Sequence, residues 1–195
     1  MSEFERINRL PTYVFQEVND LKAKLRHKGK DIIDFGMGNP DMPTPNHIRE
    51  KLKETVNKPG TGRYSTSRGI PGLRKAQVSY YERRFGVKLD PDKEVVVTLG
   101  SKEGLANLAQ AITSPGDIIL SPNPSYPIHP YGFIIAGASL RHLPAMEDGQ
   151  FNQELFLEKL DRAIRHSVPS PKAVIVSFPC LLYTSPSPRD LSTSR

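Results

Sequence analysis

Strands that alternate with helices along most of the chain predict an α/β protein built on a mostly parallel sheet with helices on both faces. Three observations carry the prediction. Val95, Val96 and Val97 form a β-branched run that turns at Leu99-Gly100 into a helix, whose apolar residues Leu105, Leu108, Ala109 and Ile112 recur at helical spacing. The pattern then repeats, with strands at Asp117 to Leu120 and Ser139 to Leu143 separated by a helix at Ile128 to Ala136. Finally, Ala173 to Phe178 reads AVIVSF, the near-continuous apolar run of a strand covered on both faces.

Taken in order, Phe4 to Pro11 reads as an irregular arm. Val14, Val18, Leu21 and Leu25 then fall at helical intervals, with basic residues gathering toward a stop at Gly29. A short strand is expected at Asp31 to Phe35, delivering the chain into the Gly- and Pro-rich loop Gly36 to Pro43. Ile48, Leu52 and Val56 mark a second helix. Lys58 to Pro71 is a long loop carrying Arg63, Tyr64 and Arg68, and long ordered loops in compact domains are more often functional than idle. Pro71 sits where a first-turn proline belongs, and the helix behind it runs to Phe85 and stops at Gly86. Ser121 to Pro127 is a Pro-rich loop containing Tyr126, and Asn152 is placed to cap a helix with Phe156, Leu160 and Ile164 on one face.

The turn at Gly100 is the point where local chemistry is richest. A strand running into a helix start presents backbone N–H groups without internal partners, backed by the positive end of the helix dipole. Ser101 and Lys102 add a hydroxyl and an ammonium there, which suits a phosphate; Ser101 as a simple N-cap is the equal alternative. Neither GxGxxG nor GxxxxGK[ST] occurs at this turn, so the dinucleotide and P-loop fingerprints do not apply. In an open parallel sheet, ligands gather at the carboxyl ends of strands, and the Gly100 turn, the Pro122 loop and the Phe178 exit are all such ends.

Composition narrows the partners. The 195 residues include 27 Lys plus Arg and 21 Asp plus Glu, a net charge of +6 spread without long single-sign runs, which indicates a solvated surface and no nucleic-acid groove. One cysteine, Cys180, excludes an internal disulfide and a cysteine-based metal site, and the five histidines show no ligand spacing. The N-terminus lacks the apolar core of a signal peptide, and no segment approaches the roughly 18 to 20 apolar residues that span a bilayer. The expectation is a soluble, cytoplasmic protein without a metal, a membrane or a nucleic-acid partner.

After Pro179 the text changes. Eight of the last twelve residues are Ser, Thr or Pro, with no apolar period. Cys180 to Arg195 is expected to be a disordered, adapter-like tail of artefactual origin.

Four motifs in this order resemble one family: G-M-G-N-P at Gly36 to Pro40, Y-S-T-S-R-G-I-P-G-L-R at Tyr64 to Arg74, G-S-K-E-G at Gly100 to Gly104, and P-N-P-S-Y-P at Pro122 to Pro127. The combination is similar to the class I/II aminotransferases of pyridoxal-phosphate fold-type I, most of all their bacterial alanine aminotransferase branch. The resemblance covers Phe4 to about Pro179. It implies an N-terminal arm and small-domain segment over residues 1–45 and a truncated part of the large cofactor-binding domain over 46–179, an aspartate-aminotransferase-like α/β/α sandwich.

For the site, the resemblance implies that Gly100, Ser101 and Lys102 hold the phosphate of pyridoxal 5'-phosphate, and that Tyr126 stacks on its pyridine ring. It further implies that Tyr64 reaches the partner subunit's cofactor phosphate in a homodimer. Gly38 would let the backbone approach the substrate carboxylate, and Tyr13 either borders the substrate or anchors the arm. The implied activity moves an amino group between an amino acid such as alanine and a 2-oxo acid such as 2-oxoglutarate. The family's Schiff-base lysine, its ring-oxygen asparagine, its pyridine-nitrogen aspartate and its carboxylate arginine have no counterparts here, so no catalytic residue is assigned and the chain by itself is expected to be inactive. A lyase or synthase of the same fold, and a non-catalytic cofactor-binding or dimer-interaction module, are the alternatives.

Overall fold

The computed structural model describes residues 4–36 and 42–177. The Gly38 assignment and the Cys180 to Arg195 tail therefore lie outside the described residues. The chain divides into two compact units, one formed by the residues up to Leu10 together with those from Val97 onward, the other by Pro11–Val96.

The first unit is built on a three-stranded parallel sheet. Its strands are β1 (Ile118–Asn123), β2 (Ser139–Pro144) and β5 (Ala173–Val174), with β1 in the centre. Ile118 to Asn123 pair in register with Ser139 to Pro144, while Ile119 and Leu120 pair with Ala173 and Val174 on the other side. Two further short strands, β3 (Met146–Glu147) and β4 (Gln150–Phe151), make an antiparallel hairpin.

The side-chain alternation of β1 explains why it lies in the middle. Ile119 faces a core of Ala109, Phe133, Ala136 and Ala138, supplied by α5 (Ser101–Ile112), by α6 (Ile128–Ile135) and by the turn that follows α6. Ile118 and Leu120 face the opposite way, into Leu143, Ala145 and Phe156, the last from α7 (Gln153–His166). A strand apolar on both faces requires a layer on each side, and helices α5 and α6 on one face with α7 on the other make the expected α/β/α sandwich. A short helix, α1 (Glu5–Asn8), replaces the irregular arm expected at the N-terminus, and Arg6 donates to Ile135 O at 3.4 Å.

The second unit contains α2 (Val14–His27), α3 (Asn46–Val56) and α4 (Pro71–Phe85). Each expected boundary holds: α2 is followed by Gly29, α4 has its proline in the first turn, and the N–H of Gly86 closes α4 on Glu82 O at 3.0 Å. Lys22 pairs with Asp34 at 2.8 Å, and Asp34 also accepts from Gly36 N at 2.9 Å, which ties the segment after α2 back onto that helix. These bonds hold the Asp34 carboxyl below its ordinary range.

Two expected strands do not form. Asp31 to Phe35 and Val95 to Val97 have no ladder partner among the described residues, and Val96 is 60% exposed. Both runs have the right residues for strands, but a strand exists only against a neighbour that takes up its N–H and C=O groups. Of the strand expected at Ala173 to Phe178, Phe178 lies outside the described residues; among residues 173–177, ladder pairing runs over Ala173–Val174, with a further bond from Ile175 N to Leu120 O at 2.9 Å.

Asn152 caps α7 as its sequence position suggested, its Oδ1 accepting from Leu155 N at 2.9 Å. Replacing Asn152 with Ala is expected to lower stability by about 1 kcal/mol, whereas Phe156→Ala, which opens the buried layer under β1, should lower it by about 3 kcal/mol or more. Denaturant unfolding of the full-length protein checks both, and Asn152→Ser should recover most of the first loss.

Candidate functional site

The site assembles in the first unit from two segments distant in sequence. One is the amino end of α5. Gly100 is its N-cap residue with φ 89°, a conformation that penalises any side chain, and a Cβ built there would meet nothing within 4 Å. The space over Gly100 is therefore open to a ligand. Ser101 begins the helix and does not act as its cap, which corrects the alternative in which that serine only closes the helix end. Since the capping residue has no side chain, the first-turn N–H groups are met by none from it.

Thr98 and Glu103 hold the turn in shape. Thr98 Oγ1 donates to Gly100 O at 3.0 Å, and Glu103 Oε2 accepts from Leu99 N at 2.5 Å. Gly104 passes close beneath: a Cβ there would stand 3.0 Å from Thr98 Oγ1, so a side chain at Gly104 would push the turn away from the helix. The Glu103 carboxylate is thereby directed at the preceding loop, and Ser101 and Lys102 are the exposed polar side chains of the first turn nearest Gly100.

The other segment leaves the carboxyl end of β1. After Asn123 the chain runs through Pro124 and Ser125 to Tyr126, whose ring is half-buried. Ser125 Oγ lies 3.3 Å from the buried Ser121 Oγ, which ties this loop to the strand. The Nζ of Lys102 sits over the Tyr126 ring, 5.2 Å from its centroid. This cation–π contact joins the two segments directly. His129 also meets Tyr126 edge to face, with centroids 5.9 Å apart and planes at 76°.

Gly100, Ser101, Lys102 and Tyr126 thus come together in one unit. Tyr13 and Tyr64 belong to the other. Tyr13 precedes the first turn of α2 and packs its ring 5.4 Å from that of Phe15. Tyr64 projects fully exposed from its loop.

Sequence reasoning did not single out Thr98, His129 or the depth to which Arg74 is buried. Thr98 and His129 act only through neighbours in space, and no local pattern marks them. Arg74 did carry a signal, because a cation in the first turn of a helix opposes the helix dipole.

A phosphate fits this arrangement. The open N-terminus of a twelve-residue helix supplies backbone donors and a dipole, Ser101 a hydroxyl, Lys102 a cation, and Tyr126 a flat face adjoining them. The donor set suits a phosphorylated aromatic group such as pyridoxal 5'-phosphate.

Burial lowers the pKa of His129 below its ordinary value. A histidine depressed in the folded state contributes stability that is present above its unfolded pKa, about 6.5, and is lost as pH falls through the lower folded value. Acidification below about pH 6.5 is therefore expected to loosen the packing on Tyr126, and His129→Gln should remove that part of the pH dependence. Unfolding free energies measured as a function of pH in both proteins test this, and identical profiles would refute it.

Comparison with known proteins agrees with the fold. The family model for aminotransferase class I and II matches residues 30–181. The chain is 58% identical over 179 residues to the putative aminotransferase AatC of Rhizobium meliloti, covering 92% of this chain and 43% of that protein. It is 53% identical over 176 residues to the glutamate-pyruvate aminotransferase AlaC of Escherichia coli, covering 90% of this chain and 42% of that protein. Among solved structures, an aspartate aminotransferase single mutant from Thermus thermophilus superimposes with a TM-score of 0.79 at 28% identity, covering 93% of this chain and 46% of that one. The chain thus spans less than half the length of these relatives, and within that span it belongs to the class I and II aminotransferase family.

Proposed function

We propose that the protein carrying this chain is a pyridoxal-phosphate-dependent aminotransferase that exchanges an amino group between alanine, or a similarly small amino acid, and a 2-oxo acid such as 2-oxoglutarate. It works as a homodimer in the cytoplasm. The single observation that carries the reading is the meeting of Lys102 with Tyr126 over the open amino end of α5. The similarity to a glutamate-pyruvate aminotransferase supports the choice of substrates. Residues 46–179 are the part of the large domain that holds the phosphate end of the cofactor.

Pyridoxal phosphate supplies the electron sink for bond changes at the amino-acid α-carbon. The residues of this chain position it. The α5 backbone donors, the Ser101 hydroxyl and the Lys102 ammonium bind the phosphate dianion, fixing one end of the group by charge-assisted hydrogen bonds. Tyr126 presents its face to the pyridine ring and excludes water from that side. Tyr64 reaches across the homodimer to add a donor to the phosphate of the other subunit's cofactor, while Gly38 admits the substrate carboxylate and Tyr13 borders the substrate. The lysine that moves the substrate proton is assigned to another part of the protein, because Lys102 stands at the phosphate end.

In the full-length protein, alanine and 2-oxoglutarate are expected to give pyruvate and glutamate, with turnover that is lost on removal of pyridoxal phosphate and restored by adding it back. Failure of pyruvate and glutamate to form in equal amounts with the cofactor present would overturn the assignment. Lys102→Ala should weaken cofactor binding by roughly tenfold or more, in line with the 1.5 to 3 kcal/mol of a hydrogen bond to a charged group. Titration of the apoprotein followed by absorbance measures it, and an unchanged dissociation constant would remove Lys102 from the phosphate site.

A further inference from the structure

Arg74 is the one charged side chain among the described residues that is buried, with 8% of its surface exposed. A buried guanidinium is costly unless each of its faces finds an acceptor. All three are matched. Nε donates to Pro91 O at 2.8 Å, Nη2 to Asp92 Oδ1 at 2.7 Å, and Nη1 to Gly69 O.

Its place in α4 makes the arrangement informative. Arg74 stands in the first turn, where the helix dipole disfavours a cation, so the helix gains nothing from its charge. What the charge does is link. Gly69 ends the loop that carries Tyr64, and Pro91-Asp92 forms a turn whose own shape is set by Asp90 Oδ1 accepting from Asp92 N at 2.8 Å and by Glu94 Oε2 accepting from Asp90 N at 2.7 Å. Arg68, four residues after Tyr64, donates to the carbonyl of the same Asp92. Two arginines thus draw the carboxyl end of the loop onto one turn, while Gly69 N closes on Thr66 O at 2.9 Å. Tyr64 itself is fully exposed, while the residues that follow it in the loop are tied at Thr66, Arg68 and Gly69.

We propose that Arg74, braced by Asp92, is a positioning residue that presents Tyr64 to the phosphate of the partner subunit's cofactor. The proposal rests on the reading of Tyr64 given above. Arg74 touches neither cofactor nor substrate; it acts by lowering the number of conformations the loop must give up when Tyr64 binds.

A double-mutant cycle in the full-length holoenzyme tests it, with the dissociation constant for pyridoxal phosphate as the readout and thermal unfolding followed in parallel. Tyr64→Phe is expected to weaken the cofactor about tenfold. Arg74→Ala should weaken it to a similar extent, Arg74→Lys and Asp92→Asn by less, and Arg74→Ala should add almost nothing in the Tyr64→Phe background. If Arg74→Ala does not fold, Arg74→Lys and Asp92→Asn in both backgrounds supply the same cycle. Multiplying effects, or a lowered melting temperature with an unchanged dissociation constant, would show Arg74 to be structural only and overturn the proposal. A Tyr64→Phe protein that binds cofactor normally would instead refute the role of Tyr64, and the positioning role would fall with it.

Discussion

Burial of β1 on both of its faces is the constraint from which the described site follows. Ile119 and Leu120 are inaccessible to solvent, and they point in opposite directions into two separate cores. One core is closed by α5 and α6, the other by α7. If either layer were missing, the strand would expose an apolar face, and its carboxyl end would no longer be held at a fixed height against the amino end of α5. α5 and α6 are in van der Waals contact: a Cβ on Gly132 would stand 3.6 Å from Ala106 Cα. Core packing is intolerant of small displacements, so the Lys102–Tyr126 contact at the end of this layer inherits the rigidity of the core beneath it.

The contrast with Val95 to Val97 shows how much of the fold a sequence can announce. Its three valines have the composition of a buried strand, yet the segment joins no ladder among the described residues. Composition reports a tendency to be covered, whereas pairing requires a second segment, and no pattern within one strand names that partner. Helix signals are local and fared better. The Asn152 cap, the first-turn proline of α4 and the glycine stops are legible because each acts within one turn of its own helix, whereas the α5 cap falls on Gly100 and not on Ser101. The β3–β4 hairpin was legible and overlooked: Asp148-Gly149 is a two-residue turn with φ of 51° and 77°, the primed geometry that this dipeptide favours.

The site divides along the same line. Gly100, Ser101 and Lys102 are consecutive, and their chemistry at a helix start could be reasoned from the residues alone. That Tyr126 joins them depended on the order of four motifs, since nothing in P-N-P-S-Y-P states which helix it will face. His129 and Thr98 were invisible because their contributions are to a neighbour's position: one packs edge-on against Tyr126, the other anchors the carbonyl of Gly100.

Arg74 and Lys102 together suggest why cations stand in the first turns of α4 and α5. At both positions the helix dipole acts against the charge, so each must be compensated from outside the helix. For Arg74 the compensation is internal: three protein acceptors surround the guanidinium, and burial makes them strong. The Lys102 ammonium lies over the face of Tyr126, and the residue remains solvent-exposed. A dianion at the open end of α5 would meet the dipole and the ammonium at once, turning two unfavourable neighbours into common partners of one ligand. At Arg74 the electrostatic disadvantage is thus met within the protein, by the three acceptors that draw its loop onto the Pro91-Asp92 turn.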